Sequence, residues 1–206
     1  MILQLFELCL YLHTNSNIMK NTLLIIGHPN LETSTTSKTI ADFLSSTKEF
    51  ENKKLVIRNL ASLYSNSKID VQAEQEALLW AETIVLQFPF HWYSVPGILK
   101  TWIDEVFQYG FAYGRTGDKL KDKHLLLSFS TGGPQEAYMH GGRNNFEIEE
   151  LLYPLKQTSN LIGTKWEEPI VSFAMVNIPG IDMDKTVIEQ KATVQAQKLY
   201  QRIINL

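Results

Sequence analysis

Short continuous apolar runs alternate along the chain with longer stretches whose apolar residues recur every three or four positions. The first pattern reads as buried strands, the second as helices. Strands are predicted over 23–27, 54–59, 83–88, 124–130 and 168–173. Helices are predicted over 34–45, 70–81, 96–108, 146–161 and 183–204, the fourth in spite of Pro154. Asp70 is placed to cap the second helix. Pro96 is placed to open the third, because a proline in the first turn removes no needed N–H. Five strands separated by helices mean an α/β three-layer sandwich, a parallel sheet covered on both faces. Right-handed crossovers leave few topologies, and the strand order 2-1-3-4-5 is the natural one.

Residues 1–18 stand apart from this pattern. The apolar run 2–12 is too short to span a bilayer and lacks the flanks of a secretory signal. It reads either as an extension from an upstream start or as a short amphipathic helix on the body or on a partner subunit. Residues 19–206 are expected to form one domain, since no linker, repeat or low-complexity tract divides them and the length suits one core. A net charge of −3 without a basic run argues against nucleic acid as the main partner. The single Cys9 excludes an intrachain disulfide framework and a cysteine-rich metal site, and suits a reducing, cytoplasmic setting. The histidines show no metal-ligand spacing, and no Gly-x-Ser-x-Gly elbow is present.

In the predicted topology, the loops after strands one, three and four meet at one edge of the sheet. The first, from Gly27 to Lys38, carries His28 and a run of hydroxyls, including Ser34, Thr36 and Ser37, and ends at a helix N-terminus. Hydroxyls and free N–H groups at the positive end of a helix suit a phosphate, though the same residues also cap a helix. No Walker or Gly-x-Gly-x-x-Gly pattern accompanies them. The second loop holds Pro89, Phe90, His91, Trp92 and Tyr93 at the carboxyl end of a buried strand, where open α/β sheets bind ligands. These rings fit either a packed aromatic cluster or the border of a flat conjugated ligand such as a flavin. The third loop holds Ser130, Thr131, Gly132 and Gly133, whose glycines allow the backbone to approach a ligand closely.

The run Gln87-Phe88-Pro89-Phe90-His91-Trp92-Tyr93-Ser94-Val95-Pro96-Gly97-Ile98-Leu99-Lys100-Thr101-Trp102 resembles the NAD(P)H:quinone oxidoreductases of the flavodoxin-like fold. So do Asp70 to Gln75, Val106-Phe107, Gly110 to Gly114, Gly132-Gly133, Tyr138, Asn144, Phe146 and Glu149 to Leu155, in that order along the chain. The likeness is nearest to the short bacterial members, including those that accompany glutathione-gated potassium efflux systems. It implies a non-covalent flavin, FMN or FAD, and hydride transfer from NADPH or NADH through the flavin to a quinone in a ping-pong cycle.

By position in that family, His28, Ser34, Thr36 and Ser37 correspond to the phosphate loop. Residues 89–93 correspond to the border of the flavin ring, and residues 130–133 to its other edge. Tyr138 matches a tyrosine that manages charge on the reduced ring, and Gly110 to Arg115 an outer wall. Relatives often carry Asn where Ser37 stands. The larger animal-type enzymes carry a catalytic His where Asn144 stands, and His140 is not aligned with it, so no catalytic histidine is assigned. Those enzymes also carry a C-terminal extension that this chain lacks, which favours FMN or a less enclosed FAD. The resemblance further implies a homodimer with sites at the subunit interface. Three other roles stay open: an azo- or nitro-reductase, a flavin-binding regulatory subunit associated with a potassium efflux membrane protein, and a one-electron carrier.

Overall fold

The structure is a computed structural model and describes residues 19–66, 68–176 and 184–206. The expectation for residues 1–18 lies outside the described residues, as does residue 183 at the start of the predicted final helix.

Strand β1 (Thr22–Ile26) is buried at every position, which is why it reads as an unbroken apolar run. It lies between β2 (Leu55–Asn59) and β3 (Thr83–Pro89), both parallel to it. Beyond β3 lies β4 (His124–Ser130), also parallel. The order is therefore β2-β1-β3-β4-β5, the predicted 2-1-3-4-5. The predicted fifth strand is corrected in one respect. Within the predicted 168–173 only β6 (Ile170–Ser172) is strand, and a further piece, β5 (Lys165–Trp166), lies before the predicted bounds, each paired with β4. Glu167, Glu168 and Pro169 separate the pieces, and a proline cannot donate to a ladder.

Helix α1 (Thr35–Ser45) and the long final helix α8 (Lys185–Ile204) cover one face of the sheet. Ile40, Ala41 and Leu44 of α1 meet Ala196, Leu199 and Ile203 of α8 over Leu24, Val85 and Leu126 of the strands. The other face is covered by α4 (Val71–Trp80) and α5 (Gly97–Val106). There Leu99, Trp102, Ile103 and Val106 are buried against Ile84, Leu86 and Phe88. Each such side chain contributes roughly 1.5–3 kcal/mol by leaving water. Pro96 is the N-cap of α5, and the helix begins at Gly97.

Two short helices were not foreseen, α2 (Lys48–Glu51) and α3 (Leu60–Leu63), and a third, α6 (Ile148–Leu151), is the first part of a predicted one. The predicted helix over 146–161 divides at Leu152 into α6 and α7 (Tyr153–Ile162). Pro154 causes the division, because it is tolerated in the first turn of α7 and would break an unbroken helix. Asp70 does cap α4, accepting the Ala73 N–H at 3.1 Å. On α4, Glu74 and Leu78 are the fully buried pair, with Ala77 and Trp80 partly buried against the same core. Glu74 accepts from Arg58 Nε at 2.7 Å, from Trp102 Nε1 at 2.9 Å and from the Tyr64 hydroxyl.

Candidate functional site

The loops after β1, β3 and β4 converge over the carboxyl edge of the sheet and enclose a cleft of about 290 Å3. His28, Ser34 and Thr36 line it from the first loop, Pro89, Phe90 and His91 from the second, and Ser130, Thr131 and Gly132 from the third. Nine of the expected residues are thus brought together.

The first loop begins at Gly27, whose N–H donates to the Gln87 carbonyl at 2.9 Å. A side chain there would stand 2.6 Å from Leu99 Cβ, so the loop passes over α5 at glycine distance. The Asn30 N–H then donates to His28 Nδ1 at 3.1 Å. In the neutral imidazole this leaves the proton on Nε2. Burial, and then His91 across the cleft, hold the His28 pKa below its ordinary value, against a smaller opposing effect of the Asn30 bond. A single 3₁₀ turn (Leu31–Thr33) leads into α1, where the Ser34 hydroxyl accepts the Ser37 N–H at 3.0 Å. The first N–H groups of α1 have no intrahelical acceptor and carry the positive end of its dipole. Ser37 itself does not line the cleft. It is 1% exposed, and its hydroxyl finds no partner among the described residues.

In the second loop, the Phe90 N–H donates to the Ser130 carbonyl at 2.8 Å, and its ring is buried against Phe129 at 5.1 Å. His91 and Ser94 then exchange backbone hydrogen bonds of 3.0 Å each. They close a two-residue turn whose central residues, Trp92 and Tyr93, have φ of +49° and +62°. Bulky side chains rarely occupy that region, and each costs roughly 1–3 kcal/mol. Trp92 is 93% exposed, and neither Trp92 nor Tyr93 lines the cleft. The Tyr93 hydroxyl instead reaches Asn144 Oδ1 at 3.2 Å. Tyr109 and Tyr113, from the expected outer wall, pack edge-to-face at 5.9 Å and are exposed, away from the lining.

In the third loop, the Thr131 hydroxyl donates to the Gly133 carbonyl at 2.9 Å. A side chain at Gly132 would stand 2.7 Å from Val176 Cγ2, and one at Gly133 would meet the Tyr138 ring at 3.2 Å. Neither Gly133 nor Tyr138 lines the 290 Å3 cleft. Tyr138 forms part of a larger cavity of about 650 Å3, together with Phe173 and the carboxylates of Glu147, Glu149 and Glu168. Size favours that cavity as a ligand site, but chemistry favours the cleft for a phosphate. No carboxylate lines the cleft among the described residues, whereas three carboxylates against the single Lys156 leave the larger cavity net negative.

Sequence reasoning missed Thr33, Thr35, Met175, Val176 and Ile188, which also line the cleft. The two threonines carry the same hydroxyl signal as their neighbours. The other three carry no local signal and arrive only through the packing of α8 and the segment after β6.

The model of a protein family described as flavodoxin-like fold matches residues 20–199. The uncharacterized NAD(P)H oxidoreductase YrkL of Bacillus subtilis is 40% identical over 79% of this chain and 90% of its own length. The glutathione-regulated potassium-efflux system ancillary protein KefF of Salmonella dublin is 38% identical over 85% of this chain and 89% of its own. Among solved structures, general stress protein 14 of Treponema denticola in complex with FMN superposes with a TM-score of 0.77 at 28% identity, covering 89% of this chain and 97% of that one. An NADPH-quinone reductase from P. pentosaceus superposes with a TM-score of 0.71 at 25% identity, covering 86% and 96%. A protein described as a thermophilic tryptophan halogenase from Streptomycin violaceusniger superposes with 0.75 at 36% identity, covering 86% and 97%, and that description names a different chemistry.

Proposed function

The chain belongs to the flavodoxin-like family and is an NAD(P)H oxidoreductase; from that premise we propose that it holds FMN without a covalent bond and passes hydride from NADPH or NADH to a quinone. The observation that carries the reading is the cleft itself. Three loops, one helix N-terminus, several hydroxyls and two imidazoles meet there, with no carboxylate among the described residues. That donor set fits a phosphate. Gly132 lines the same cleft and brings its backbone there without a side chain. FMN is preferred to FAD because a relative in the same fold is described as its FMN complex.

The flavin supplies the hydride chemistry when bound, and the protein supplies binding, orientation and electrostatics. Ser34, Thr36, the first turn of α1 and His28 bind the phosphate. Pro89, Phe90 and His91 hold one border of the ring, and Ser130 to Gly133 the other. Ser37 lies behind the first turn of α1 and supports it from the core. Tyr138 lies outside the cleft lining, on the loop that follows this second border, and its hydroxyl is the donor proposed for negative charge on the reduced ring. Trp92 and Tyr93 shape the rim where NAD(P)H and then quinone take turns. The protein works as a homodimer in the cytoplasm, and no described helix is long and apolar enough to cross a membrane.

The absorption spectrum of the purified protein tests the reading. A flavin spectrum at about one per chain supports it, and a colourless protein that neither FMN nor FAD reconstitutes overturns it. The likeness to KefF favours a second reading, a peripheral subunit of a potassium efflux membrane protein. Capture of such a protein from solubilised membranes by the tagged chain discriminates the two.

A further inference from the structure

Among the described residues, no lysine or arginine lines the cleft, just as no carboxylate does. Two imidazoles do, His28 from the loop after β1 and His91 from the loop after β3. A phosphate monoester is dianionic above roughly pH 7, since its second pKa is about 6. The described lining therefore offers it no permanent cation, and imidazole is the side chain that gains charge in this range.

The two rings are not equivalent. His28 Nδ1 accepts the Asn30 N–H at 3.1 Å, so the neutral ring presents Nε2–H to the cleft as a donor. Burial, and then His91, favour that neutral form. His91 spends its backbone N–H and carbonyl on Ser94, at 3.0 Å each, so its ring is what it brings to the cleft. That residue is exposed at the rim, where a proton can reach it from water. Charged groups on the other walls are engaged elsewhere. Lys38 pairs with Glu32 at 3.5 Å and Lys185 with Glu189 at 3.6 Å, while Asp184 accepts the Thr186 N–H at 2.9 Å. Glu136, beyond the third loop, lines a groove outside the cleft.

We propose that the cleft takes up a proton from water as FMN binds, that His91 carries it as the imidazolium matching the phosphate dianion, and that His28 adds a neutral donor. This rests on reading the cleft as the FMN site. An anion within roughly 4–6 Å favours the charged imidazole strongly enough to carry it from mostly neutral to mostly charged near pH 7.5. FMN is then held more tightly as pH falls toward 7, whereas a flavin without a phosphate gains nothing.

Calorimetric titration of FMN into the full flavin-free chain, in two buffers of different ionisation enthalpy, counts the protons taken up. Wild type should take up about 0.7 proton per FMN at pH 7.5, and its affinity should fall about fivefold from pH 7 to pH 8. Riboflavin, which lacks the phosphate, should show neither effect. His91→Asn should lose both. His28→Asn should keep the uptake and bind about fivefold more weakly at both pH values, the loss of one hydrogen bond. His91→Lys supplies a fixed charge, so its affinity should change by less than about twofold across the same range. Uptake that persists in His91→Asn, disappears in His28→Asn or accompanies riboflavin overturns the inference. So does wild-type affinity that is equal at the two pH values, or a His91→Lys affinity that still falls fivefold. A wild-type chain that binds no flavin at either pH refutes the proposed function instead, so the two failures are distinct.

Discussion

The Tyr93 hydroxyl donates to the Asn144 carboxamide oxygen at 3.2 Å, a side-chain bond across 51 residues of sequence. It ties the strained turn after β3 to the loop after β4, two segments that otherwise meet through the Phe90–Ser130 backbone bond. Both loops border the cleft, and this bond adds to the β3–β4 ladder and the Phe90–Phe129 contact that already hold them together.

Gly133→Ala should separate backbone tolerance from site chemistry. Gly133 does not have a positive φ, so the backbone accepts alanine. The new methyl would crowd the Tyr138 ring at 3.2 Å. The expected outcome is a melting temperature within about 2 °C of wild type, less than 1 kcal/mol for a domain of this size. Flavin reduction by NADPH should slow about tenfold, or roughly 1.4 kcal/mol. Stopped-flow absorbance with flavin occupancy matched checks it, and an unslowed rate would place the ring elsewhere.

Ser34 has two roles that one pair of variants pulls apart. Its hydroxyl oxygen caps α1 through Ser37, while its proton is left for a phosphate. Ser34→Ala should cost about 1 kcal/mol of stability through the lost cap. It should also weaken FMN binding about tenfold, since one charge-assisted bond is worth roughly 1.5–3 kcal/mol. Ser34→Asp keeps the cap but repels the phosphate, so stability should hold while FMN binding falls further. Calorimetry and fluorescence titration read the two effects, and FMN affinity unchanged in both variants counts against this placement of the phosphate.

The His28 pKa is held below its ordinary value of 6.5 by burial and by His91. A base with a lower pKa in the folded chain binds fewer protons folded than unfolded, so stability rises with pH through that window. The flavin-free protein should therefore melt at lower temperature as pH falls from 7.5 toward 5.5. His28→Asn should flatten that slope, and an identical slope in the variant would refute the assignment.

Glu74 is fully buried with Arg58 Nη2 at 2.6 Å. Removing one partner of a buried ion pair leaves the other uncompensated and costs about 3–5 kcal/mol. Glu74→Leu should lower the melting temperature by roughly 10 °C, by the usual scaling for this chain length. Because Glu74 lies on α4, away from the cleft lining, FMN affinity at 10 °C should stay within threefold of wild type.

The sheet order, the Asp70 cap and the convergence of three loops were legible because each rests on local signals: apolar runs, a capping residue, a hydroxyl-rich turn. Glu74 was not legible. A carboxylate within a helix reads as part of the solvated face, and its burial depends on Arg58 and Trp102 arriving from β2 and α5. Pro169 did carry a warning that the fifth strand would divide, since proline interrupts a ladder. At the site, the sequence placed Trp92 and Tyr93 correctly on the loop but said nothing of their positive φ, which local propensity opposes. The direction of Tyr138, toward Phe173 at 5.9 Å and the larger cavity, follows from loop packing that no periodicity encodes.

The division of the fifth strand reaches beyond topology. A long flat outer strand is a template on which another chain can grow a sheet, and such growth ends in fibres. Here β5 and β6 are short, and two glutamates and a proline stand between them. Molecules crowded together at high concentration thus meet a charged, interrupted margin. The same break that interrupts the ladder leaves this margin of the sheet without a long flat strand on which another chain could extend it.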